Sequence, residues 1–341
     1  MAYHTEEKDM LLCYIADAWR DNHIEKELFL PAAGYIKDGK IRDYMYDSYI
    51  FLCSPNFLYA WNDKGAYLKP LTKSDWLGYI TEHEFAPNHN ISALDEAVGD
   101  VKQALNDGEY RANVFMTLFY PVKTVTDFGE VYGQTLDFQK LEDRNQAMQW
   151  MVDESIRQFD EKKYENIRLA GFYWFCEDLD YSDEGSKLIT RSVTDYIRSK
   201  GLKTCWCPYF YAAGYDKWKE LGFDIAAHQA NYFPLHHADW PNRGGRERLP
   251  LVAETVKKCG IGVGMEMGDA EVASAEIFKE YMKAGVEFGF MHAPHIYYMG
   301  RGPWTISTIS KSDHPVLRST YDELYRYIHR VLTVDDIQME K

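Results

Sequence analysis

Residues Ile167–Asp178 read IRLAGFYWFCED, an apolar, aromatic-rich run that ends abruptly in two adjacent carboxylates, Glu177 and Asp178. The run follows one helical pattern, Arg144–Phe159, and precedes another, Ser186–Ser199, so it reads as a parallel strand buried on both faces. A buried strand has little reason to finish in acids unless they face a polar pocket. The same grammar returns at Ile261–Asp269, IGVGMEMGD, where Glu266 stands among small and apolar residues. Glu177 and Glu266 are therefore the leading candidates for chemistry.

Outward from these two stretches, six more runs read as strands: Met10–Ala16, Ser48–Cys53, Asn113–Tyr120, Thr204–Tyr211, Phe223–Phe233 and Phe288–Tyr298. Helical spacing separates most of them. Leu94, Val98, Val101 and Leu105 repeat behind a Ser92/Asp95 capping box. Tyr215–Leu221, Arg246–Lys258, Ser274–Ala284 and Val316–Arg330 are helical in turn. Strands alternating with helices imply an α/β fold with parallel pairing, and eight of them favour a closed (β/α)8 TIM barrel over an open doubly wound sheet. No GxGxxG or P-loop follows the first strand, which speaks against nucleotide binding. No linker divides the chain, so one domain over 1–341 is expected, with 1–9 and 332–341 as tails. Residues 54–90 are the longest irregular region and carry Trp61, Tyr67, Trp76 and Tyr79. They are expected to form a long aromatic-rich loop insertion after the second strand, with a short helix from Trp76 behind a Ser74 cap.

A net charge of −15 argues against nucleic acid and anionic membrane surfaces as partners. Aromatic content of 15% is ample for a core and also suits a sugar stacked on rings. The six cysteines sit mostly in apolar runs and read as reduced core residues. The N-terminus lacks the apolar core of a signal peptide, and no run reaches the ~18 apolar residues of a membrane span. A soluble protein is expected, cytoplasmic as given, with a removed secretion signal as the alternative.

In a β/α barrel the active site lies at the C-terminal ends of the strands. Glu177 ends the fourth strand and Glu266 the seventh, so two carboxylates flank the barrel mouth as glycoside hydrolysis requires. If Glu177 points inward, period two turns Tyr173 and Phe175 inward as well. Glu266 inward then brings Gly262 and Gly264 inward and leaves room for those rings. Asp178 is a further acid at the rim, with helix N-capping as its commoner duty. Gln229 and Asn231 share a face of the sixth strand, followed by Tyr232, and Tyr209 and Tyr211 share a face of the fifth. Amides and phenols converging on a cleft suit sugar hydroxyls; the other reading is a structural network at the barrel rim. His292 on the eighth strand is expected to contact substrate or orient a glutamate. Trp304, in the loop MGRGPW, and Trp240 are candidate stacking platforms, whereas Trp174 and Trp206 have the parity of core residues. His292 and His295 alternate in a way that splits them between faces, so no metal site is expected, and no cofactor is called for.

The strings Gly171–Asp178, Cys207–Gly214 and Gly222–Tyr232 (GFDIAAHQANY) resemble a bacterial family of unknown function, the domain-of-unknown-function family numbered 4855. The residues that carry the resemblance are Trp206, Pro208, Tyr209, Ala212 and Gly214, then Trp218, Gly222, Phe223, Asp224, Gln229, Asn231 and Tyr232. The resemblance runs over most of the chain and implies a glycosidase-like TIM barrel. The chain also resembles, more distantly, the retaining glycosidases with glutamates on strands four and seven. In those the acid/base follows an asparagine, and here Cys176 stands in that place.

These observations together lead to a glycoside hydrolase with a carbohydrate substrate. Glu177 is the acid/base and Glu266 the nucleophile of a retaining mechanism, and Tyr173, Asp178, Tyr209, Tyr211, Gln229, Asn231, Tyr232, His292 and Trp304 bind substrate. The alternatives are a non-catalytic glycan-binding barrel and, behind it, a metal-dependent hydrolase.

Overall fold

The computed structural model describes residues 7–17, 22–62, 65–179, 183–232 and 244–339, with the side chains of 61, 62 and 65–67 left aside. Eight strands form a closed barrel: β1 (Asp9–Ala16), β2 (Ser48–Cys53), β3 (Ala112–Leu118), β4 (Ile167–Trp174), β5 (Lys203–Trp206), β6 (Ile225–Gln229), β7 (Gly262–Met267) and β8 (His295–Met299). Each pairs in parallel with its neighbour in sequence. β8 returns to β1 through Asp9↔His295, Met10↔Ile296 and Leu11↔Tyr297, which closes the ring. Every residue of β2, β3 and β7 is buried. Continuous burial on both faces is why these strands read as unbroken apolar runs rather than as alternations.

The outer layer consists of α1 (Lys26–Ala33), α2 (Ile91–Leu105), α3 (Leu141–Lys162), α4 (Glu184–Ser199), α5 (Arg248–Cys259), α6 (Val272–Phe288), α7 (Pro303–Ser310) and α8 (Pro315–Ile328). In α4, Asp183 caps the N-terminus by accepting from Gly185 N–H, while Ile189, Val193 and Ile197 bury one face. Between β5 and β6 the expected helix is reduced to a 3-10 turn, Tyr215–Lys217. α7 occupies a stretch read as loop, where Pro303 at the first turn needs no N–H partner.

Two caps differ from the sequence expectation because tertiary contacts claim the side chains. α2 begins after Asn90, at φ +55°, and its Ser92 hydroxyl meets Tyr164 Oη at 2.9 Å while Asp95 accepts Asn166 N–H at 2.8 Å. In the insertion, Thr72 and Asp75 form the capping box in place of Ser74.

The insertion after β2 is ordered rather than irregular. It contains a helical turn (Pro55–Leu58), a hairpin (Tyr59–Asn62 with Gly65–Leu68), a helix (Lys73–Gly78) and a π-helical turn (Tyr79–Glu84). Trp76 is 1% exposed and lies edge-on to Phe128 at 4.8 Å and Phe119 at 5.9 Å, so it builds the insertion's own core. Trp206 likewise packs outward on Phe223 at 5.1 Å and donates Nε1–H to the Cys176 carbonyl at 2.9 Å. All six cysteines are free thiols, five of them buried. Among the described residues, no helix is long and apolar enough to cross a membrane.

Candidate active site

β7 delivers Glu266. Met265 turns outward toward Tyr327 of α8, 4.0 Å from its sulfur, so Gly264 and Glu266 take the inward positions by period two. Glu266 is 2% exposed. Its Oε2 accepts the backbone N–H of Asn231 and the hydroxyl of Tyr281, both at 2.6 Å, and its Oε1 accepts Asn231 Nδ2 at 3.3 Å. Burial pushes the carboxyl up to about 7; these donors oppose that rise, and the charge of Glu177 adds to it.

Glu177 lies beyond the last residue of β4, after Phe175 and Cys176. Its side chain is open to solvent, yet it affects the ionisation of Tyr14, Tyr59, Tyr173 and Cys207 around it. A concave pocket has both properties, since water reaches the carboxyl but protein fills most of the space about it. Burial raises Glu177 to about 7 as well, partly offset by a hydrogen bond from Gln229.

Gln229 and Asn231 join the two acids. Gln229, the last residue of β6, donates Nε2–H to the Cys207 carbonyl at 2.7 Å, and its Oε1 accepts Asn231 Nδ2 at 2.8 Å. Asn231 sits past the strand at φ +50°, a left-handed conformation that turns its N–H back onto Glu266. Its Oδ1 accepts Phe210 N–H at 2.8 Å, which ties the loop after β5 into the same network. Both amides thus donate to protein groups. The expectation that they point at sugar hydroxyls gives way to the rim-network reading. The expected reason for Gly264 changes too. A Cβ there would lie 3.0 Å from Gln229 Cγ and 3.1 Å from its Cα, so the glycine admits β6 rather than the rings of Tyr173 and Phe175.

β5 ends at Trp206, so Tyr209 and Tyr211 belong to a loop and period two does not govern them. Asp178 fastens that loop by accepting Ala213 N–H at 2.9 Å and Tyr209 Oη at 3.5 Å, rather than capping a helix. Tyr211 is 63% exposed, with the Arg248 guanidinium 5.0 Å from its ring. Tyr173 is buried in the barrel interior near Glu177. Tyr232 faces α6, donating Oη–H to Glu280 at 2.9 Å and its backbone N–H to Tyr281 Oη at 3.1 Å. Trp304 is half-buried in the first turn of α7 under Arg301, 4.8 Å away.

His292 does not belong to this constellation. Gly289, at φ +83°, ends α6, a 3-10 turn covers Phe290–His292, and the strand begins only at His295. His292 is therefore exposed at the N-terminal end of β8, opposite the mouth. His228 is buried between the rings of Phe210 and Tyr215, and burial lowers it to about 4, so it is neutral. Trp240, His236 and His237 lie outside the described residues. Among the described residues, no group of three His, Cys, Asp or Glu side chains could hold a metal ion.

Four tyrosines of the site went unread in the sequence. Tyr14 on β1 and Tyr59 on the insertion border Glu177. Tyr298 stands opposite Glu266 in register, and Tyr281 reaches Glu266 from α6. Strand parity could have found Tyr14 and Tyr298. Tyr281 carries the same signal as any apolar position on a helix face.

The family model described as Domain of unknown function (DUF4855) matches residues 9–326. Among solved structures, the chain is similar to a tri-modular GH5 (subfamily 4) endo-beta-1,4-glucanase from Bacillus licheniformis, at 11% identity and a TM-score of 0.46. That likeness covers 94% of this chain and 60% of the glucanase, so the chain spans less than two thirds of that protein. It is also similar to a mutant tryptophan synthase α-subunit from the hyperthermophile Pyrococcus furiosus, at 10% identity and a TM-score of 0.41, over 95% of this chain and 98% of that one. A type I 3-dehydroquinate dehydratase from Clostridium difficile matches at 12% identity and a TM-score of 0.37, over 94% and 93% of the two chains. No curated protein matches in sequence. Likenesses this distant carry no argument about chemistry, which has to come from the site.

Proposed function

The chain belongs to the family Domain of unknown function (DUF4855), and from the carboxyl pair at its barrel mouth we propose that it is a glycoside hydrolase. The observation that carries this reading is the coupling of Glu177 and Glu266. They are two carboxyls, one just past β4 and one on β7, both raised to about 7 by burial and linked through Gln229 and Asn231. A carboxyl held near neutrality can donate a proton and take it back, which is what a glycosidic oxygen and then a water require in turn.

Glu177, open to the mouth, protonates the leaving oxygen. Glu266 attacks the anomeric carbon, and the bond to the leaving group breaks as the glycosyl-enzyme ester forms. Water, deprotonated by Glu177, then displaces Glu266 and restores both groups. Tyr14, Tyr59 and Tyr298 wall the sugar, while Gln229 and Asn231 hold the acids in place.

The test is release of sugars from a panel of plant, bacterial and host glycans by wild type, Glu177→Gln and Glu266→Gln. Release by wild type that both variants lose supports the hydrolase, and the anomer first formed reports retention. Release undiminished by either substitution moves the chemistry elsewhere. Binding without release in all three proteins replaces the hydrolase with a glycan-binding barrel.

A further inference from the structure

Burial raises Glu177 and Glu266 alike, and the charge of Glu177 bears on Glu266, so something other than burial must decide which of the two loses its proton first. The hydrogen bonds around Glu266 are arranged for an anion. Oε2 already faces two donors, the Asn231 N–H and the Tyr281 hydroxyl, and Oε1 faces Asn231 Nδ2. A proton on Oε2 would oppose a donor already in place, and one on Oε1 would compete with Asn231 Nδ2 for the remaining room. Among the described residues, Glu177 has one such partner, Gln229.

Of the two donors to Glu266 Oε2, one is a backbone N–H, and the Tyr281 hydroxyl is the one that can turn away. That hydroxyl receives Tyr232 N–H at 3.1 Å, which fills a lone pair and frees the proton to be given away. That proton has two acceptors within reach, Glu266 Oε2 at 2.6 Å and the Tyr232 carbonyl at 3.4 Å. The short bond belongs to a charged carboxylate and the long one to a neutral acid beside it. Tyr281 is fully buried on α6. Among the described residues, the titratable and charged groups facing Glu266 are Glu177 from beyond β4, Cys207 from the loop after β5, Tyr298 from β8 and Tyr281 itself. Behind Tyr281 lie Tyr232, Glu280 and, 3.6 Å from Glu280, Arg246.

We propose that Tyr281 is the positioning residue that keeps Glu266 as the anion and so leaves the proton on Glu177. The proposal deepens, and rests on, the two-carboxylate reading of the site. Tyr281 hydrogen-bonds Glu266 Oε2 and acts through that carboxylate, setting which carboxyl can attack and which can donate.

The experiment is the titration of Glu266 in protein carrying carboxyl-13C glutamate, its signal assigned by Glu266→Gln. Glu177→Gln, which removes the coupling, is compared with Glu177→Gln/Tyr281→Phe. The expected result is a rise in the Glu266 midpoint equivalent to about tenfold in its ionisation constant. An unchanged or lowered midpoint overturns the proposal. Should the phenylalanine variant not fold, a ring-fluorinated tyrosine placed at 281 strengthens the donor, and the midpoint should fall. A rise or no movement with fluorination also overturns it. The titration needs no substrate, so it separates the two failures. A shifted midpoint in a protein that cleaves no glycan sinks the hydrolase and keeps the clamp. Cleavage with an unmoved midpoint does the reverse.

Discussion

Asn231 donates to Glu266 twice, from its backbone N–H to Oε2 at 2.6 Å and from Nδ2 to Oε1 at 3.3 Å. Both bonds depend on a backbone at φ +50°, which asparagine adopts more readily than any side chain with an apolar Cβ. Asn231→Ala removes the side-chain bonds, strips Phe210 N–H of its acceptor and leaves alanine in a strained conformation. An unsatisfied buried donor costs about 1–3 kcal/mol and the left-handed strain about 1 kcal/mol. Asn231→Gly keeps the backbone bond and relieves the strain, so it should be the more stable of the two in urea denaturation. Equal losses in the two variants would mean that the left-handed backbone contributes nothing.

The contribution of the buried carboxyls to stability should fall as the pH rises toward neutrality. Burial raises Glu177 and Glu266 alike to about 7 from an ordinary 4.5, so between those values the folded pair holds protons the unfolded chain has released. Their contribution is full below the unfolded value and is lost as pH rises through the folded one. Asp47, at the other end of the barrel, is raised to about 7 by burial and by Asp9 and acts in the same direction. Glu177 adds less, because water reaches it. Glu266→Gln should therefore retain about 1–3 kcal/mol that wild type loses across this window. Urea midpoints at acid, intermediate and alkaline pH check it, and parallel profiles for the two proteins would refute it.

All eight barrel strands were legible because a strand covered on both faces is an unbroken apolar run, and Glu177 and Glu266 stood out against that background. Strand ends were less legible. The run from Phe288 to Tyr298 is continuous in composition, yet Gly289 and the 3-10 turn that follows it delay the strand to His295, which strands His292 at the wrong end. At the ends of β5 and β6 the chain leaves the sheet before Tyr209 and Asn231, so alternation no longer predicts direction. Tyr281 shows a deeper limit. Its spacing on α6 is that of a core residue, and only the fold brings its hydroxyl to Glu266. The aromatics of the insertion misled in the other direction, since Trp76 fills a local core.

Tyr211 offers a mostly exposed ring with the Arg248 guanidinium against it, held in place through the neighbouring Phe210–Asn231 bond. Stacking a sugar on such a ring is worth about 0.5–1.5 kcal/mol, by analogy with aromatic pairs. Tyr211→Ala should then raise KM several-fold for oligosaccharides and leave it unchanged for short aryl glycosides. Its unfolding free energy should stay within about 0.5 kcal/mol of wild type, as for other surface substitutions. An equal effect on long and short substrates would take Tyr211 out of the binding surface.

Gly264 tests whether the network, and not merely the fold, carries activity. It pairs directly with Gln229, and an added Cβ would meet Gln229 Cα at 3.1 Å, where a barrel strand has little room to retreat. Gly264→Ala should cost about 1–3 kcal/mol and displace Gln229 from the Cys207 carbonyl, and with it the link between the two acids. Met265→Ala, next in the same strand but turned outward toward Tyr327, should cost about 2–5 kcal/mol through a cavity and leave the acids where they are. Activity per folded molecule, measured well below both melting transitions, should therefore drop at least tenfold in Gly264→Ala and hold in Met265→Ala. If the two variants keep the same activity, the Gln229–Asn231 bridge is scaffolding, and the placement of Glu177 and Glu266 depends on their own strands alone.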